Sequence, residues 1–215
     1  MVHVSTANAY GNTHGEVVDE SADRMDPTYV SYYDETKRLA HEVAVGFIER
    51  GLPCVIAQLG QVYGPGDHSE IGATMQRFLR GRLPALAFPD TGLNFVHVVD
   101  AARGILLCLD RGKPGERYNL GGEVTTMRGM FETLARVSGR KPPRWTVPTG
   151  LIRAVAPLGR VVGPMLGYGP NLREMVSAAD GVTYWASDRK ARAELGYAPR
   201  DLETGLGELV AASLA

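Results

Sequence analysis

Short apolar runs alternate with amphipathic stretches along this chain. His3 to Thr6 is too short for a helix and reads as a strand, running into residues 7–20, a loop rich in Asn, Gly and Thr. From Val30 the spacing becomes helical: Tyr33, Lys37, Ala40, Val43, Ala44, Phe47 and Ile48 recur on one face until Gly51-Leu52-Pro53 ends the run, a helix of about five turns. Residues 54–59 then read as a buried strand closing on Gly64-Pro65-Gly66. Strand, helix, strand in this order predicts a parallel crossover and an α/β core.

The pattern continues downstream. Residues 71–81 are helix-like, and 94–99 read as a strand with Phe95, His97 and Val99 alternating. Asp100 stands where an N-cap would open a helix over 101–110. Residues 117–121 give another strand, and 126–139 another helix opened by Thr125 or Thr126. Past Lys141-Pro142-Pro143, residues 147–166 are apolar but carry Arg153 and Arg160 and prolines at 148, 157 and 164, which predicts broken helices packed in a lobe rather than a membrane span. Residues 187–197 read as a helix capped by Ser187 or Asp188 and stopped by Gly196.

Composition narrows the function. In 215 residues, 23 basic and 24 acidic side chains are interspersed for a net charge of -1, so no nucleic-acid or anionic-membrane partner is expected. No window reaches the roughly 18 apolar residues of a spanning helix. Cys54 and Cys108 sit in apolar runs as small hydrophobes, predicting a reducing, cytoplasmic setting. The five histidines show no metal-ligand spacing, so no metal site is expected.

The sharpest chemical feature is Tyr33-x-x-x-Lys37, since side chains four apart on a helix share a face. With nine tyrosines and four lysines, chance alone gives such a pair about one time in six, and the bland alternative is a tyrosine packed on a lysine stem. A phenol with a pKa near 10 is a weak acid-base catalyst at neutral pH, but an adjacent ammonium favours the phenolate. Thr6 adds a hydroxyl at the C-terminal end of a strand, where ligands collect beside open parallel sheets; otherwise it is a cap or ladder residue. His97 reads as a buried, hydrogen-bonded residue, and 63–67 as a turn at the site's edge.

In order, Val4-Ser5-Thr6-Ala7-Asn8-Ala9-Tyr10-Gly11, Asp19-Glu20, Tyr33-x-x-x-Lys37 and Val62-Tyr63-Gly64-Pro65-Gly66-Asp67 are followed by Phe95-Val96-His97-Val98-Val99-Asp100, residues 115–122 and residues 187–197. Over nearly its whole length the chain resembles the extended short-chain dehydrogenase/reductases, the NAD-dependent epimerase/dehydratase superfamily, with the dihydroflavonol-reductase-like and hopanoid-associated epimerase-like branches nearest. The resemblance implies an α/β fold: the C-terminal part of a Rossmann-like parallel sheet with a small, mainly helical substrate lobe. Residues 1–122 would be an incomplete NAD(P)-binding core, with 66–93 contributing to the lobe that 123–215 completes. It also implies that Thr6 orients the substrate, Tyr33 is the acid-base catalyst, and Lys37 holds the nicotinamide ribose. Tyr33, Lys37, Leu59, Gln61 and Val62 would contact NAD or NADP. A small-molecule carbonyl or secondary alcohol is the implied substrate, and a homodimer through the Tyr33–Lys37 helix is the implied assembly.

The sequence also departs from that pattern. The family opens with a strand, a Gly-x-x-Gly-x-x-Gly turn and a helix that binds pyrophosphate, none of which occurs here, so the expectation is that three or four βα units, on the order of 100 residues, would precede Met1. Gln58-Leu59 stands where Arg-Pro is common. Leu93-Asn94 stands where nucleotide-sugar enzymes often place an arginine, which favours a less charged substrate unless Arg77, Arg80 or Arg82 supplies a phosphate contact. Three functions follow: an NAD(P)-dependent oxidoreductase or epimerase, a sugar-nucleotide epimerase or dehydratase, or a non-catalytic fragment or binding module.

Overall fold

Parallel pairing sets the frame of the protein, seen in a computed structural model that describes residues 1–156 and 172–214. Strand β1 (Val2–Thr6) leads through a 3-10 turn (Ala7–Tyr10) and a long loop to α1 (Tyr32–Glu49), which returns the chain to β2 (Val55–Leu59). The β-branched and small residues of β2 are almost wholly buried from Val55 to Gln58, as befits a strand covered on both faces. After β3 (Gln61–Tyr63), α2 (Glu70–Leu79), β4 (Ala85–Leu86) and β5 (Gly92–His97), α3 (Val98–Arg111) crosses to β6 (Arg117–Leu120). The first sheet has the order β1-β2-β6, all parallel, with β1 and β2 in register from Val2 opposite Val55 to Thr6 opposite Leu59.

A second sheet carries the lobe. β3 pairs parallel with β5, and β7 (Glu123–Thr126) pairs antiparallel on its other side. The chain continues through α4 (Met127–Ser138), β8 (Trp145–Thr146), α5 (Thr149–Val155), α6 (Leu172–Ala179), α7 (Arg189–Leu195) and α8 (Leu202–Leu214). Two cores result. One packs Val55, Ala57, Cys108, Tyr118 and Leu195 around the first sheet. The larger packs Tyr63, Phe78, Phe95, Phe131, Leu134 and Leu206 between the second sheet and the lobe helices.

Several expectations hold in detail. Thr126 caps α4, its hydroxyl accepting from Gly129 N at 3.2 Å, and Gly196 ends α7 in the left-handed region at φ 72°. At the start of α7, Ser187 Oγ accepts from Arg189 N at 3.4 Å, while Asp188 pairs with Arg192. Of the apolar 147–166 run, α5 is a helix and residues 157–166 lie outside the described residues.

Two expectations are corrected. Asp100 does not cap α3: the predicted strand stops at His97, whose Nδ1 accepts from Val99 N at 3.4 Å, so the helix starts three residues before 101. Asp100 lies in its first turn, buried, where its Oδ2 accepts from Arg200 Nε at 2.7 Å. The apolar face predicted for α1 is only partly inward. Val43 and Phe47, 59% and 48% exposed, line up with Leu39 on the outer surface, because the helix meets β1 through His41 and its neighbours instead. α8 is an addition to the predicted elements. Among the described residues, no helix is long and apolar enough to cross a membrane.

Candidate functional site

Thr6 ends β1 beside Leu59 of β2, and its Oγ1 accepts from Asn8 N at 3.3 Å while donating to Asn8 Oδ1 at 3.1 Å. The strand tip is thus tied into the 3-10 turn that follows. Opposite it, α1 begins at Ser31, whose hydroxyl accepts from Asp34 N at 3.0 Å. Asp34 is buried and takes a two-pronged grip from Arg24, Nη1 to Oδ1 at 2.8 Å and Nη2 to Oδ2 at 2.6 Å, while Oδ2 also accepts from Val30 N at 3.1 Å. Burial works against the Arg24 charge, but the Asp34 carboxylate outweighs it and holds the guanidinium above its ordinary pKa. A second anchor lies two turns on. His41 Nδ1 is hydrogen-bonded to Ser5 Oγ at 3.0 Å, both groups buried. Burial, then the charges of Arg117 and Arg38, lowers the pKa of His41 to about 4, so the ring is neutral at physiological pH.

Between these anchors, Tyr33 and Lys37 come to the strand tip. The Tyr33 phenol lies near the Thr6 side chain, and the Lys37 ammonium lies 5.6 Å from the centre of the Tyr33 ring. Tyr33 is 52% exposed, so the phenol is open to a ligand. Its pKa nevertheless stands above the ordinary phenol value: burial raises it, and the Thr6 side chain opposes the rise. The Lys37 ammonium does not by itself offset this rise. The amine flanks the ring face, where its field at the hydroxyl is weak and screened by solvent.

A cavity of about 760 Å³ opens on Tyr33. Its lining includes the polar side chains of Asn8, Thr36 and Gln61 and the carbon of Leu86, Phe88 and Met127. Gln61 is the one nicotinamide-side candidate that lines this cavity. Leu59 packs against the core of the first sheet, and Val62 and Thr6 stand outside the lining, Thr6 being bonded to Asn8. Arg77, Arg80 and Arg82 are not part of the lining either. Among the described residues, no three His, Cys, Asp or Glu side chains converge to hold a metal ion. Neither Asn8, though part of the quoted motif, nor Phe88 carried an assigned role from the sequence; Phe88 sits at φ 49° in a turn with no periodicity to betray it.

Comparison with known proteins bears on the family and the fold. Residues 1–121 match the model of the NAD dependent epimerase/dehydratase family. A Synechocystis protein carrying the name dihydroflavonol 4-reductase is 32% identical, the match covering 97% of this chain and 62% of the relative. The crystal structure of a nucleoside-diphosphate-sugar epimerase from Pseudomonas aeruginosa superposes with a TM-score of 0.75 at 26% identity, over 98% of this chain and 65% of that one. A dTDP-glucose 4,6-dehydratase from Streptomyces venezuelae, solved with NAD bound, superposes with a TM-score of 0.71 at 25% identity, over 98% and 58%. The chain thus spans less than two thirds of the length of each. The α/β architecture with parallel strands is that of a Rossmann-like fold. On this match over more than half its length, the chain belongs to the NAD dependent epimerase/dehydratase family.

Proposed function

We propose that the whole protein is an NAD(P)-dependent oxidoreductase acting on a carbonyl or secondary alcohol, in which Tyr33 moves the proton at the substrate oxygen. The observation that carries this reading is the exposed phenol of Tyr33 near the Thr6 strand tip, with the Lys37 ammonium 5.6 Å from the centre of its ring and an open cavity before it. The residues present suit the nicotinamide-ribose end of the cofactor. Lys37 offers three donors to ribose hydroxyls, and Gln61 lines the same cavity as Tyr33.

When bound, the nicotinamide supplies a hydride to the carbonyl carbon or removes one from the alcohol carbon. The rest falls to this chain. In reduction, Tyr33 donates its proton to the oxygen as the hydride arrives, leaving a secondary alcohol and a phenolate that solvent reprotonates. In oxidation, the phenolate takes the hydroxyl proton. A phenol held above its ordinary pKa is protonated at neutral pH, so the reductive direction finds its acid in place. Thr6, at the strand tip near the phenol, offers a second hydroxyl to orient the substrate oxygen. In the whole protein, Tyr33→Phe is expected to lower turnover by about 10²- to 10⁴-fold with substrate binding retained; unchanged turnover overturns the reading.

A second reading concerns the 215 residues by themselves. Their sequence holds no glycine-rich turn opening a helix, the device that gives dinucleotides most of their phosphate contacts. This favours weak cofactor binding by the chain alone. Calorimetric titration with NADH and NADPH decides it: tight, saturable binding removes that reading.

A further inference from the structure

A net charge of -1 conceals a local imbalance in this chain. Two windows of the sequence, residues 77–89 and 133–173, hold ten of the 23 basic residues and none of the 24 acidic ones. Folding sets parts of the two side by side. β4 and β8 pair in parallel with Ala85 opposite Trp145, which brings the turn that leaves α2 against the turn that leaves α4. Between these turns lies a cleft of about 520 Å³, where Gly81, Leu83, Arg140, Lys141, Arg144 and Trp145 stand in the lining. It shares no lining residue with the cavity before Tyr33.

Basic residues just past a helix ordinarily serve the helix, because each C-terminus presents about half a negative charge. Two such ends supply about one charge here, against the five cations of Arg80, Arg82, Arg140, Lys141 and Arg144. All five are exposed, and none forms an ion pair among the described residues, whereas Arg136 and Arg153 nearby in sequence pair with Glu203 at 2.9 Å and Asp180 at 2.6 Å. The helix ends therefore leave most of the positive charge unanswered. The cleft is also shaped. Gly81 stands at φ 70°, and a Cβ built on it would lie 3.3 Å from Arg140 Nη1, so the guanidinium reaches from one turn across to the other. Pro142 and Pro143 stiffen the stretch between Lys141 and Arg144. Trp145, 72% exposed, adds a flat indole that the fold leaves uncovered.

We propose that this cleft is a second binding site, which takes a soluble organic phosphate carrying two or more phosphoryl groups, with the phosphates among Arg140, Lys141 and Arg144 and a planar body stacked on Trp145. The volume lies within the roughly 300–1,000 Å³ typical of sites for small organic ligands. An exposed pair of single charges is weak in water, so one charge on a ligand gains little, whereas several on one molecule meet several cations at once. Guanidinium forks match phosphoryl oxygens in shape as well as charge. A bilayer fits less well: the surface is concave, and Trp145 is the one large exposed apolar side chain among the described lining residues, short of the broad apolar face that holds a protein in a lipid interface.

Calorimetric titration of the 215-residue chain, at low salt and without divalent metal, tests this with three probes: ATP, tripolyphosphate and adenosine. Saturable binding of ATP is expected, about tenfold weaker binding of tripolyphosphate, and none of adenosine over the same range. Lys141→Gln/Arg144→Gln is expected to weaken both phosphates by about tenfold or more and to flatten their salt dependence. Trp145→Ala should weaken ATP by about tenfold and leave tripolyphosphate unchanged. Arg50→Gln, which removes an exposed charge just past α1, should change neither. The substituted side chains are exposed, and circular dichroism checks that each variant is folded. Absence of saturable ATP binding, an ATP affinity unchanged in Lys141→Gln/Arg144→Gln, or an equal loss in Arg50→Gln overturns the proposal; tripolyphosphate binding as tight as ATP, or an unchanged Trp145→Ala, overturns its planar body. Sedimentation with phosphatidylglycerol vesicles is the last arm. Capture that Lys141→Gln/Arg144→Gln abolishes, in a protein that does not bind ATP, gives the patch to a lipid surface and overturns the soluble ligand.

Discussion

Helices α1 and α4 are held in this molecule by different physics. α4 buries Met127, Met130, Phe131, Leu134 and Ala135, a continuous carbon stripe that meets α8 through Leu202, Leu206 and Leu209. α1 is longer by half, yet fully buries only Asp34 and His41, both titratable. Non-directional burial fixes α4 wherever shape allows, and it tolerates small repacking. Directional contacts fix α1: the Arg24 fork on Asp34, the Ser31 cap and the bond between Ser5 and His41 set its rotation as well as its position. A helix that must aim a phenol at a strand tip is better served by the second kind of contact, because small rotations about its axis carry Tyr33 away from Thr6.

The largest effect expected from this contrast lies in the carbon-packed half. Phe131 is almost wholly buried and meets Phe78 edge-to-face, with ring centres 5.6 Å apart. Phe131→Ala is expected to cost about 3–5 kcal/mol of global stability, through lost burial and the cavity left behind. Urea unfolding followed by circular dichroism measures it. The loss should arrive as a lower midpoint with an unchanged slope, whereas a cost under about 1 kcal/mol would mean the lobe core is loosely packed.

The middle effect lies in the polar half and depends on pH. His41 has a folded-state pKa of about 4 against an ordinary 6.5, so between these values the unfolded chain takes up a proton that the folded one resists. Its contribution is complete above pH 6.5, falls as pH drops, and is exhausted near pH 4, a total of about 3 kcal/mol at most. Burial lowers the pKa values of His3 and His97 as well, so the wild type alone would mix three groups. The comparison with His41→Asn isolates one of them. The variant starts less stable at pH 7.5 and closes the gap toward pH 4.5; parallel pH curves would show that His41 does not govern acid sensitivity.

Much of this contrast could be read in the sequence, though unevenly. α4 was legible because its carbon stripe repeats with the helical period and Thr126 stands at its head. Tyr33 and Lys37 were legible because a four-residue spacing is local. The anchors of α1 were not, since Ser5 and His41 are 36 residues apart and a buried ion pair leaves no periodic trace. Asp100 misled for the same reason: after a strand it resembles a cap, and its partner Arg200 lies 100 residues away. α8 escaped notice because Gly205 and Gly207 lower its helix propensity. Gly205 has its reason in space rather than sequence, since a Cβ there would collide with the hydroxyl of the buried Tyr63.

The smallest effect is the most discriminating. Leu39, Val43 and Phe47 follow one another at four-residue steps along the outside of α1, and each is about half exposed or more. On α4 the same spacing marks the buried face, so a hydrophobic-to-polar change means opposite things on the two helices. Val43→Gln is expected to shift stability by no more than about 0.5 kcal/mol, the ordinary range for an exposed site. Thermal melts over a wide range of protein concentration provide the check. A midpoint that is unchanged at every dilution identifies the stripe as solvent-facing in the monomer and completes the account of α1 as a helix held by polar contacts. If instead the wild-type midpoint climbs with concentration and Val43→Gln abolishes the climb, two copies share this stripe, and α1 acquires through assembly the carbon packing that α4 finds within its own chain.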